Sequence, residues 1–399
     1  MGGDFAMSVA KEIQSALGRA SWIRKMFEEG TRLKKIHGPE NVFDFSLGNP
    51  NLDPPGEFLQ ALQAEAAVRE PFRHAYMPNA GYAHVRAAVA RGIEEEQGVP
   101  VTENEVIMTC GAAGALNVIF KAILDPGDEV LCPAPYFVEY GFYANNHGGV
   151  LKTVATNPDF SLDLAALERA LTPATKAVLV NTPNNPTGQV YPAEALEALG
   201  KILGRKGREH GRTVYLLSDE PYRSILFDGE TAPSVLASYD ETIVATSYSK
   251  ELSIPGERIG WLAVNPRAGE KDLLVAAMTM ANRILGFVNA PALMQRVVGA
   301  VPHARVDPAP YQRNRDLLCQ GLSEAGYEFT KPKGAFYLFA KSPIPDDVAF
   351  VAALQEERIL AVPGSGFGGP GHFRLAFCVD PRAVENALPG FARTIRKFR

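Results

Sequence analysis

The sequence predicts an α/β protein whose larger part is a mostly parallel β-sheet covered by helices on both faces. From about residue 105 to residue 264, short apolar runs alternate with stretches of helical periodicity, which is typical of consecutive βαβ units. The runs are rich in β-branched residues, as strands buried on both faces require. We predict strands at EVIMT (105–109), DEVLC (128–132), KAVLV (176–180), TVYLLS (213–218), TIVATS (242–247) and IGWLAV (259–264).

The two ends of the chain follow a different pattern. Residues 8–36 are charged and helical in periodicity, and a Gly/Pro-rich loop follows at 43–56. Beyond residue 295 we predict helices and short strands, in the order 308–325, 335–340, 346–356, 358–362, 372–377 and 382–397. We therefore expect a large α/β domain over residues 46–295 and a smaller α+β domain formed by residues 1–45 and 296–399. The cleft between two such domains is the expected place for a ligand.

Composition narrows the class of ligand. The chain has 399 residues with 40 Lys+Arg against 45 Asp+Glu, a formal net charge of −5, which argues against a general affinity for nucleic acid or anionic lipid. With 46% hydrophobic and 21% charged residues, the chain can bury sizeable cores and is not a disordered protein. Small molecules are the ligands that this balance favours.

Cysteine usage and the N-terminal sequence favour a cytoplasmic protein. The four cysteines are scattered and form no C-x-x-C pair, so neither a zinc site nor a disulfide framework is predicted. The first residues, MGGDFAMSVAKEIQ, lack the basic and apolar regions of a signal peptide. No apolar run approaches the roughly 20 residues of a membrane span. We expect no metal, no membrane anchor and no nucleic-acid partner.

Two motif matches lack the context that their chemistry needs. Residues 364–369 spell G-x-G-x-x-G, but they lead into another predicted strand and not into the helix that a dinucleotide site requires. Ser247 and Lys250 spell the S-x-x-K of serine acyl-enzymes, but the S-D-N and K-T-G elements that accompany that motif are missing. Both matches are set aside.

Polar features follow four of the predicted strands, at the edge where ligands bind in open α/β sheets. Lys250 comes shortly after TIVATS, and Asp219 comes directly after TVYLLS. The segment NTPNNPTG (181–188) follows KAVLV, and CGAAG (110–114) follows EVIMT and opens a helix. Alone, each has an ordinary structural explanation, since a lone lysine is usually solvated. Their convergence on one edge indicates a binding site.

An anion site with a lysine and a carboxylate points to one cofactor. The first amides of the helix after CGAAG, together with the helix dipole, suit a phosphate. Arg258 can add a bidentate contact and Ser247 a further hydrogen bond. Pyridoxal phosphate needs a phosphate site, an amine for its aldehyde and an acidic partner for its ring nitrogen. We predict this cofactor, with Lys250 as the amine and Asp219 as the acid.

At this point the chain resembles the class I and II aminotransferases, which are pyridoxal phosphate enzymes of fold type I in the aspartate aminotransferase superfamily. The resemblance covers nearly the whole chain. Its motifs, in family order, are LGNP (47–50), YMPNAG (76–81), TCGAAGAL (109–116), PAPYF (133–137), NTPNNPTG (181–188), SDEPY (218–222), SYSKELSIPGERIG (247–260) and FRLAF (373–377). The resemblance implies a seven-stranded sheet, a homodimer with shared active sites and a ping-pong transfer of an amino group between an L-amino acid and a 2-oxo acid.

The resemblance also implies roles for individual residues. Lys250 would form the Schiff base with the cofactor and move the substrate's Cα proton, and Asp219 would keep the ring nitrogen protonated. Asn185 and Tyr222 would hydrogen-bond the ring's 3′ oxygen, and Phe137 would stack on the ring. Lys250, Asp219 and Tyr222 are thus the predicted catalytic residues.

The resemblance also implies contacts to two anions, the phosphate of the cofactor and the α-carboxylate of the substrate. Those to the phosphate come from Gly111, Ala112, Ala113, Ser247 and Arg258, with Tyr76 supplied by the partner subunit. Those to the substrate α-carboxylate come from Gly48, Asn185 and Arg374. An arginine inside an apolar strand, such as Arg374, is rarely buried without an anion. The chain departs from the common family pattern at Ala112 and Ala113, where a polar residue is frequent, and at Phe137, where the ring is usually tryptophan or tyrosine.

The cofactor residues do not decide which bond at Cα breaks, so a C–S or β-lyase on the same fold is an alternative. A non-catalytic regulator that senses the cofactor is a second one, which residues 1–40 disfavour because they are too short and too weakly basic for a DNA-binding module. The preferred amino acid also stays open. Arg283, which lies one position away from the second arginine of aspartate-type relatives, and Arg24 are the candidates for contacting a substrate side chain.

Overall fold

The structure is a computed structural model that describes residues 9–10, 13–14 and 22–399. Its helices are α1 Trp22–His37, α2 Gly56–Ala67, α3 Ala83–Gln97, α4 Gly111–Ile123, α5 Glu139–Asn145, α6 Leu164–Ala170, α7 Ala193–His210, α8 Val235–Ser238, α9 Tyr248–Glu251, α10 Lys271–Ile284, α11 Ala292–Ala300, α12 Ala309–Ala325, α13 Asp347–Glu356 and α14 Pro381–Arg396. Short 3₁₀ turns lie at Pro39–Asn41, Pro255–Glu257 and Gly364–Phe367. None of these helices is long and apolar enough to cross a membrane.

The strands form three sheets. They are β1 Phe43–Asp44, β2 Val106–Thr109, β3 Glu129–Ala134, β4 Val150–Ala155, β5 Thr175–Asn181, β6 Tyr215–Asp219, β7 Thr242–Ser247, β8 Gly260–Val264, β9 Tyr337–Lys341, β10 Ile359–Leu360, β11 Val362–Pro363 and β12 His372–Ala376. Seven of them make one sheet in the order β2-β8-β7-β6-β5-β3-β4. Strand β8 runs antiparallel to both neighbours, and the other pairs are parallel. The predicted fold class is confirmed.

Helices cover both faces of this sheet because successive side chains of a strand point to opposite sides. Leu217 of β6 packs with Leu116 and Phe120 of α4 on one face. Its neighbour Leu216 packs with Leu199 of α7 on the other face. The strands are therefore buried on both sides, which explains their continuous apolar sequences.

A segment that comes before the seven-stranded sheet in sequence packs with the C-terminal part of the chain. Strand β1 pairs in parallel with β10, which ties the N-terminal segment to the C-terminal part of the chain. Strands β11, β12 and β9 form a three-stranded antiparallel sheet. Helices α12, α13 and α14 pack against it, in a core that includes Leu318, Phe350 and Phe391.

Differences from the sequence prediction are local. Strand β4 was not predicted because most of its residues are at least partly exposed at the sheet edge, so the sequence has no apolar run there. The predicted strand over 358–362 is two short strands, β10 and β11. The glycine-rich segment 364–369 contains a 3₁₀ turn, in which the Ser365 amide donates to the Asp347 carboxylate at 2.6 Å. It leads into β12, so it is not a dinucleotide fingerprint.

The register of the sheet brings several strand ends to one edge. Asn181 pairs with Asp219, and Asp219 pairs with Ala245, so β5, β6 and β7 end nearly level. Gly260, the first residue of the antiparallel β8, pairs with Ser247 on one side and Thr109 on the other. The residues just before β8 therefore lie at the same edge as the carboxyl ends of the parallel strands.

Gly260 permits this arrangement because there is no room for a side chain at its position. A Cβ there would overlap the Thr246 carbonyl oxygen and lie 2.9 Å from Cα of Gly111. Both contacts are with backbone, which cannot rotate away as a side chain can. The start of helix α4 is thus held against the start of β8.

We expect Gly260→Ala to destabilise the protein by about 1–3 kcal/mol, because the added methyl group must push two backbone segments apart. Gly256→Ala is the matched control, since a Cβ at Gly256 meets nothing within 4 Å. Urea unfolding of both variants measures the effect. Equal stability of the two variants would contradict the close packing at Gly260.

Candidate active site

A cavity of about 270 Å³ lies at the edge where the strands end. Its wall contains nine of the residues predicted from sequence, namely Gly48, Ala112, Ala113, Phe137, Asn185, Asp219, Tyr222, Lys250 and Arg374. Residues that had not been singled out complete the wall, namely Leu47, Leu116, Tyr140, Tyr143, Asn181, Pro221 and Tyr337. The structure thus gathers in one cavity residues that are up to 327 positions apart, from Leu47 to Arg374.

Asp219 is a buried carboxylate at the end of β6 and is only 6% exposed. The Tyr140 hydroxyl donates to its Oδ2 at 2.5 Å, and the Asn181 amide donates to its backbone oxygen at 2.8 Å. Its Oδ1 is buried without a hydrogen-bond partner among the described residues. Burial raises the pKa of Asp219 to about 7, and the negative charge of Glu220 acts in the same direction. A cationic donor facing Oδ1 would stabilise the charged carboxylate.

Lys250 lies in the short helix α9 directly after β7. Its Nζ donates to the carbonyl oxygen of Gly48 at 2.8 Å. Burial lowers the pKa of Lys250 to about 8, and the nearby guanidinium groups of Arg374 and Arg258 also lower it. About a tenth of this amine is therefore unprotonated at pH 7, far more than for an exposed lysine, so it can act as a nucleophile and as a base.

Arg374 is a buried cation on β12, with 2% exposure. Its guanidinium lies between the rings of Tyr337 and Phe367, at 4.6 and 4.5 Å from their centroids. It donates to the Ser46 carbonyl oxygen at 2.6 Å and to Asn185 Oδ1 at 3.1 Å. Its Nε is buried and has no partner among the described residues. These contacts hold the guanidinium in one orientation, with donor capacity left for an anion.

A second positively charged region lies at the start of helix α4, where the free helix amides and Arg258 come together. No side chain caps this end of the helix, so its first amides are available to an anion. Gly111 has a positive φ of 73°, and a Cβ at Gly111 would lie 3.0 Å from Nη2 of Arg258. Ser247, at the end of β7, is brought to the same region by its pairing with Gly260. Gly111, Ser247 and Arg258 do not form part of the cavity lining.

The other predicted residues lie away from the cavity or outside the described region. Tyr76 is 89% exposed and does not line the cavity. Arg283 is exposed on helix α10 and does not line it either. The side chain of Arg24 lies outside the described part of the chain.

Three residues that contact the predicted set were missed from sequence. Tyr140 follows Phe137 by three residues, and Asn181 is the first residue of the NTPNNPTG segment, so both had a detectable signal in the sequence. Tyr337 had none, because it lies within an apolar strand. Its hydroxyl lies 2.9 Å from that of Tyr222, and its ring stacks on Arg374. It therefore joins two predicted residues.

Burial of Asp219 predicts a pH-dependent stability effect in the protein without bound cofactor. Below pH 4 the carboxyl group is protonated in the folded and the unfolded state. Between pH 4 and 7 only the unfolded state loses the proton, so stability falls as pH rises through this window. We expect Asp219→Asn to be more stable than the parent protein by roughly 2–4 kcal/mol at pH 8 and equal to it near pH 4.

Denaturant unfolding at both pH values tests this expectation. Asp272→Asn is the control, because its carboxylate is 99% exposed and its removal should leave the pH dependence unchanged. A parent protein that is no less stable than Asp219→Asn at pH 8 would contradict the burial effect.

Comparison with known proteins agrees with this geometry. The family described as aminotransferase class I and II matches residues 40–391. The aspartate/prephenate aminotransferase of Thermus thermophilus is 36% identical over 363 residues, which cover 88% of this chain and 90% of that protein. The aspartate aminotransferase of Geobacillus stearothermophilus is 31% identical over 405 residues, covering 96% and 97%.

Solved structures show the same fold over nearly the full length. An amino transferase from Eubacterium rectale superposes with a TM-score of 0.95 at 38% identity, covering 99% of this chain and 100% of that one. The aspartate aminotransferase of Thermus thermophilus with maleate superposes with a TM-score of 0.86 at 31% identity, covering 98% and 100%. The chain, with its buried lysine, carboxylate and arginine in one cavity, belongs to the class I and II aminotransferases.

Proposed function

We propose that this aminotransferase binds pyridoxal 5′-phosphate in the cavity described above and uses Lys250, Asp219 and Arg374 to move an amino group between an L-amino acid and a 2-oxo acid. The observation that carries the proposal is that a lysine of lowered pKa and a buried carboxylate with a free oxygen face the same cavity. The family implies this cofactor. The names of the relatives refer to transamination, which favours it over the lyase alternative and the regulator alternative.

The residues fit both charged ends of the cofactor. The free Oδ1 of Asp219 suits the protonated nitrogen of a pyridine ring, which would neutralise a buried charge. The amides that begin helix α4, with Ser247 and Arg258, suit a phosphate. Ala112 and Ala113 offer no polar side chain, so backbone amides and Arg258 carry this contact.

The ring would be held by neighbouring side chains. Phe137 lies on the cavity wall where it can stack on an aromatic ring. Asn185 and Tyr222 line the same wall and can donate to the oxygen on the ring. When bound, pyridoxal phosphate supplies an electron sink that stabilises negative charge at the amino acid's Cα.

Lys250 then has two tasks. Its amine would hold the cofactor covalently until an amino acid takes its place. The released Nζ would next take the proton from Cα of the amino acid and pass it to the cofactor, and it would make the two transfers in the opposite order in the second half of the cycle. The lowered pKa of this amine suits a base that works near neutral pH.

Arg374 would bind the substrate's α-carboxylate. Stacking between two aromatic rings and the hydrogen bonds to Ser46 and Asn185 orient its guanidinium before the substrate arrives. A preoriented guanidinium loses little side-chain entropy on binding. Gly48 allows Tyr337, which stacks on Arg374, to lie close to the backbone, since a Cβ at Gly48 would overlap the Tyr337 hydroxyl.

We also propose a cytoplasmic homodimer in which Tyr76 reaches the phosphate of the partner subunit. Tyr76 and Phe72 are large aromatic residues with 89% and 90% exposure. On helix α10, Met280 and Ile284 are each 52% exposed. Exposed apolar groups of this size are typical of surfaces that pack against another chain. The four cysteines are free, which suits a reducing compartment.

Replacement of the proposed nucleophile tests the core of this proposal. We expect Lys250→Ala to lose at least about 10³-fold in transamination rate, since it removes both the amine and the base. It should also fail to retain pyridoxal phosphate after borohydride reduction and denaturation, as measured by mass spectrometry. Lys341→Ala, at an exposed lysine paired with Glu328, should keep both properties. Covalent retention of pyridoxal phosphate by Lys250→Ala would contradict the assignment of Lys250 as the amine that binds the cofactor.

If Arg374 binds the α-carboxylate of the substrate, its replacement should weaken substrate binding. We expect Arg374→Lys to raise KM for the amino acid roughly 10- to 100-fold, because an ammonium cannot make the paired hydrogen bonds of a guanidinium. Steady-state kinetics of Arg374→Lys and of the exposed control Arg382→Lys provide the comparison. An unchanged KM in Arg374→Lys would contradict the role.

A further inference from the structure

Tyr337 lines the cavity, and the proposed function, on which this inference rests, leaves its hydroxyl group without a role. The residue lies on β9 of the three-stranded sheet and is 3% exposed. Its ring stacks on the guanidinium of Arg374, and its hydroxyl lies 2.9 Å from that of Tyr222. Under the proposed function, Arg374 binds the substrate and Tyr222 binds the ring of the cofactor. Tyr337 therefore contacts one residue from each half of the site.

Backbone pairing fixes the position of this tyrosine. Tyr337 and Arg374 lie diagonally opposite each other across the antiparallel strands β9 and β12. Just before β9, the amide of Ala335 donates to the carbonyl oxygen of Ile225 at 2.9 Å, which holds this part of the chain against the segment that follows Tyr222. The rings of Tyr337 and Tyr222 meet edge to face, with centroids 5.6 Å apart. The contact between the two hydroxyl groups is therefore set by the fold.

The hydrogen bond between these hydroxyl groups has a defined direction once a cofactor is bound. Each hydroxyl group has one hydrogen to donate. Burial raises the pKa of Tyr222 well above its ordinary value and raises that of Tyr337 to about 12, so both groups stay protonated near neutral pH. Tyr222 can give its hydrogen to Tyr337 or to an oxygen on the cofactor ring. If it donates to the ring, its own oxygen is left to accept from Tyr337.

We propose that Tyr337 is a positioning residue with two separable tasks. Its ring holds Arg374 in place for the substrate carboxylate, and its hydroxyl donates to Tyr222 while Tyr222 donates to the cofactor. A hydroxyl group that accepts a hydrogen bond becomes a stronger donor, because hydrogen bonds in a chain polarise one another. Tyr337 thus strengthens a hydrogen bond to the cofactor without contacting the cofactor oxygen itself.

The hydroxyl task predicts the direction of a spectroscopic change. When the cofactor joined to Lys250 loses a proton, its ring oxygen carries more negative charge. Donation from Tyr222 stabilises that charge, and Tyr337 strengthens the donation. The Tyr337 hydroxyl should therefore lower the pH midpoint at which the cofactor absorbance changes.

Removal of the hydroxyl group tests this task. Tyr337→Phe keeps the ring and loses the donor, and the absorbance of the protein loaded with pyridoxal phosphate is titrated with pH in the absence of substrate. We expect the midpoint to rise by about 0.3 pH unit, which corresponds to a modest fraction of a hydrogen bond to a charged group. The KM for an amino donor should stay within about twofold of the parent value, because the ring still stacks on Arg374.

Tyr327→Phe is the matched control. Tyr327 is 6% exposed in the same core as Tyr337, and its hydroxyl donates to the Phe391 carbonyl oxygen at 3.0 Å. It does not line the cavity. This variant also loses a buried hydrogen bond, so it reports what a purely structural loss does. We expect it to leave the absorbance midpoint and KM unchanged.

Removal of the ring tests the second task. Tyr337→Leu takes away the aromatic face as well as the hydroxyl and should raise KM at least about fivefold, in addition to shifting the midpoint. The return of KM to the parent range in Tyr337→Phe would assign that effect to the ring. If Tyr337→Leu does not fold, the midpoint of Tyr337→Phe still decides the hydroxyl task.

The outcomes separate this inference from the proposed function. A midpoint that falls or stays constant in Tyr337→Phe overturns the hydroxyl task, and an unchanged KM in Tyr337→Leu overturns the ring task. In both cases transamination by the parent protein stands. A parent absorbance that responds to amino acids but not to pH would also overturn the hydroxyl task, since no ionisation would be present for it to shift. If the parent absorbance responds to neither, the proposed function fails and this inference fails with it.

Discussion

The candidate site depends on neighbouring strands of the seven-stranded sheet ending at nearly the same position along the sheet. The register of three parallel strands fixes where they end, since Asn181 pairs with Asp219 and Asp219 pairs with Ala245. The antiparallel strand β8 then brings Arg258, which precedes it, to the same edge. A shift of one residue would turn Asp219 away from the cavity, because side chains of a strand alternate between faces.

Burial shifts the pKa values of the charged groups at this edge of the sheet. The same enclosure raises the pKa of Asp219 and lowers that of Lys250, so each group is poised to change its protonation state near neutral pH. Arg374 is kept in its buried position by two aromatic rings and two hydrogen bonds. Charged groups that are costly to bury are thus placed where the proposed ligands of opposite charge would offset the cost.

Much of the site was predictable because its residues follow strands or stand in local motifs. Lys250, Asp219 and Asn185 each come shortly after an apolar run, and parallel strands bring such positions together. Strand β4 and Tyr337 were not predictable in this way. The edge strand is too exposed to form an apolar run, and Tyr337 looks like any other residue of a buried strand. Their roles arise from contacts between segments far apart in the chain.

By itself, the sequence determined the fold class, the family resemblance and the chemical identity of the main site residues, because these follow from local periodicity and motif spacing. Only the tertiary structure decided which atoms are left without partners, such as Asp219 Oδ1 and Arg374 Nε. It also decided that, among the described residues, Lys250 and Arg374 are the two cations that line the cavity. The physical reason is that burial, hydrogen bonding and charge compensation depend on neighbours in space, and separation along the chain does not specify them.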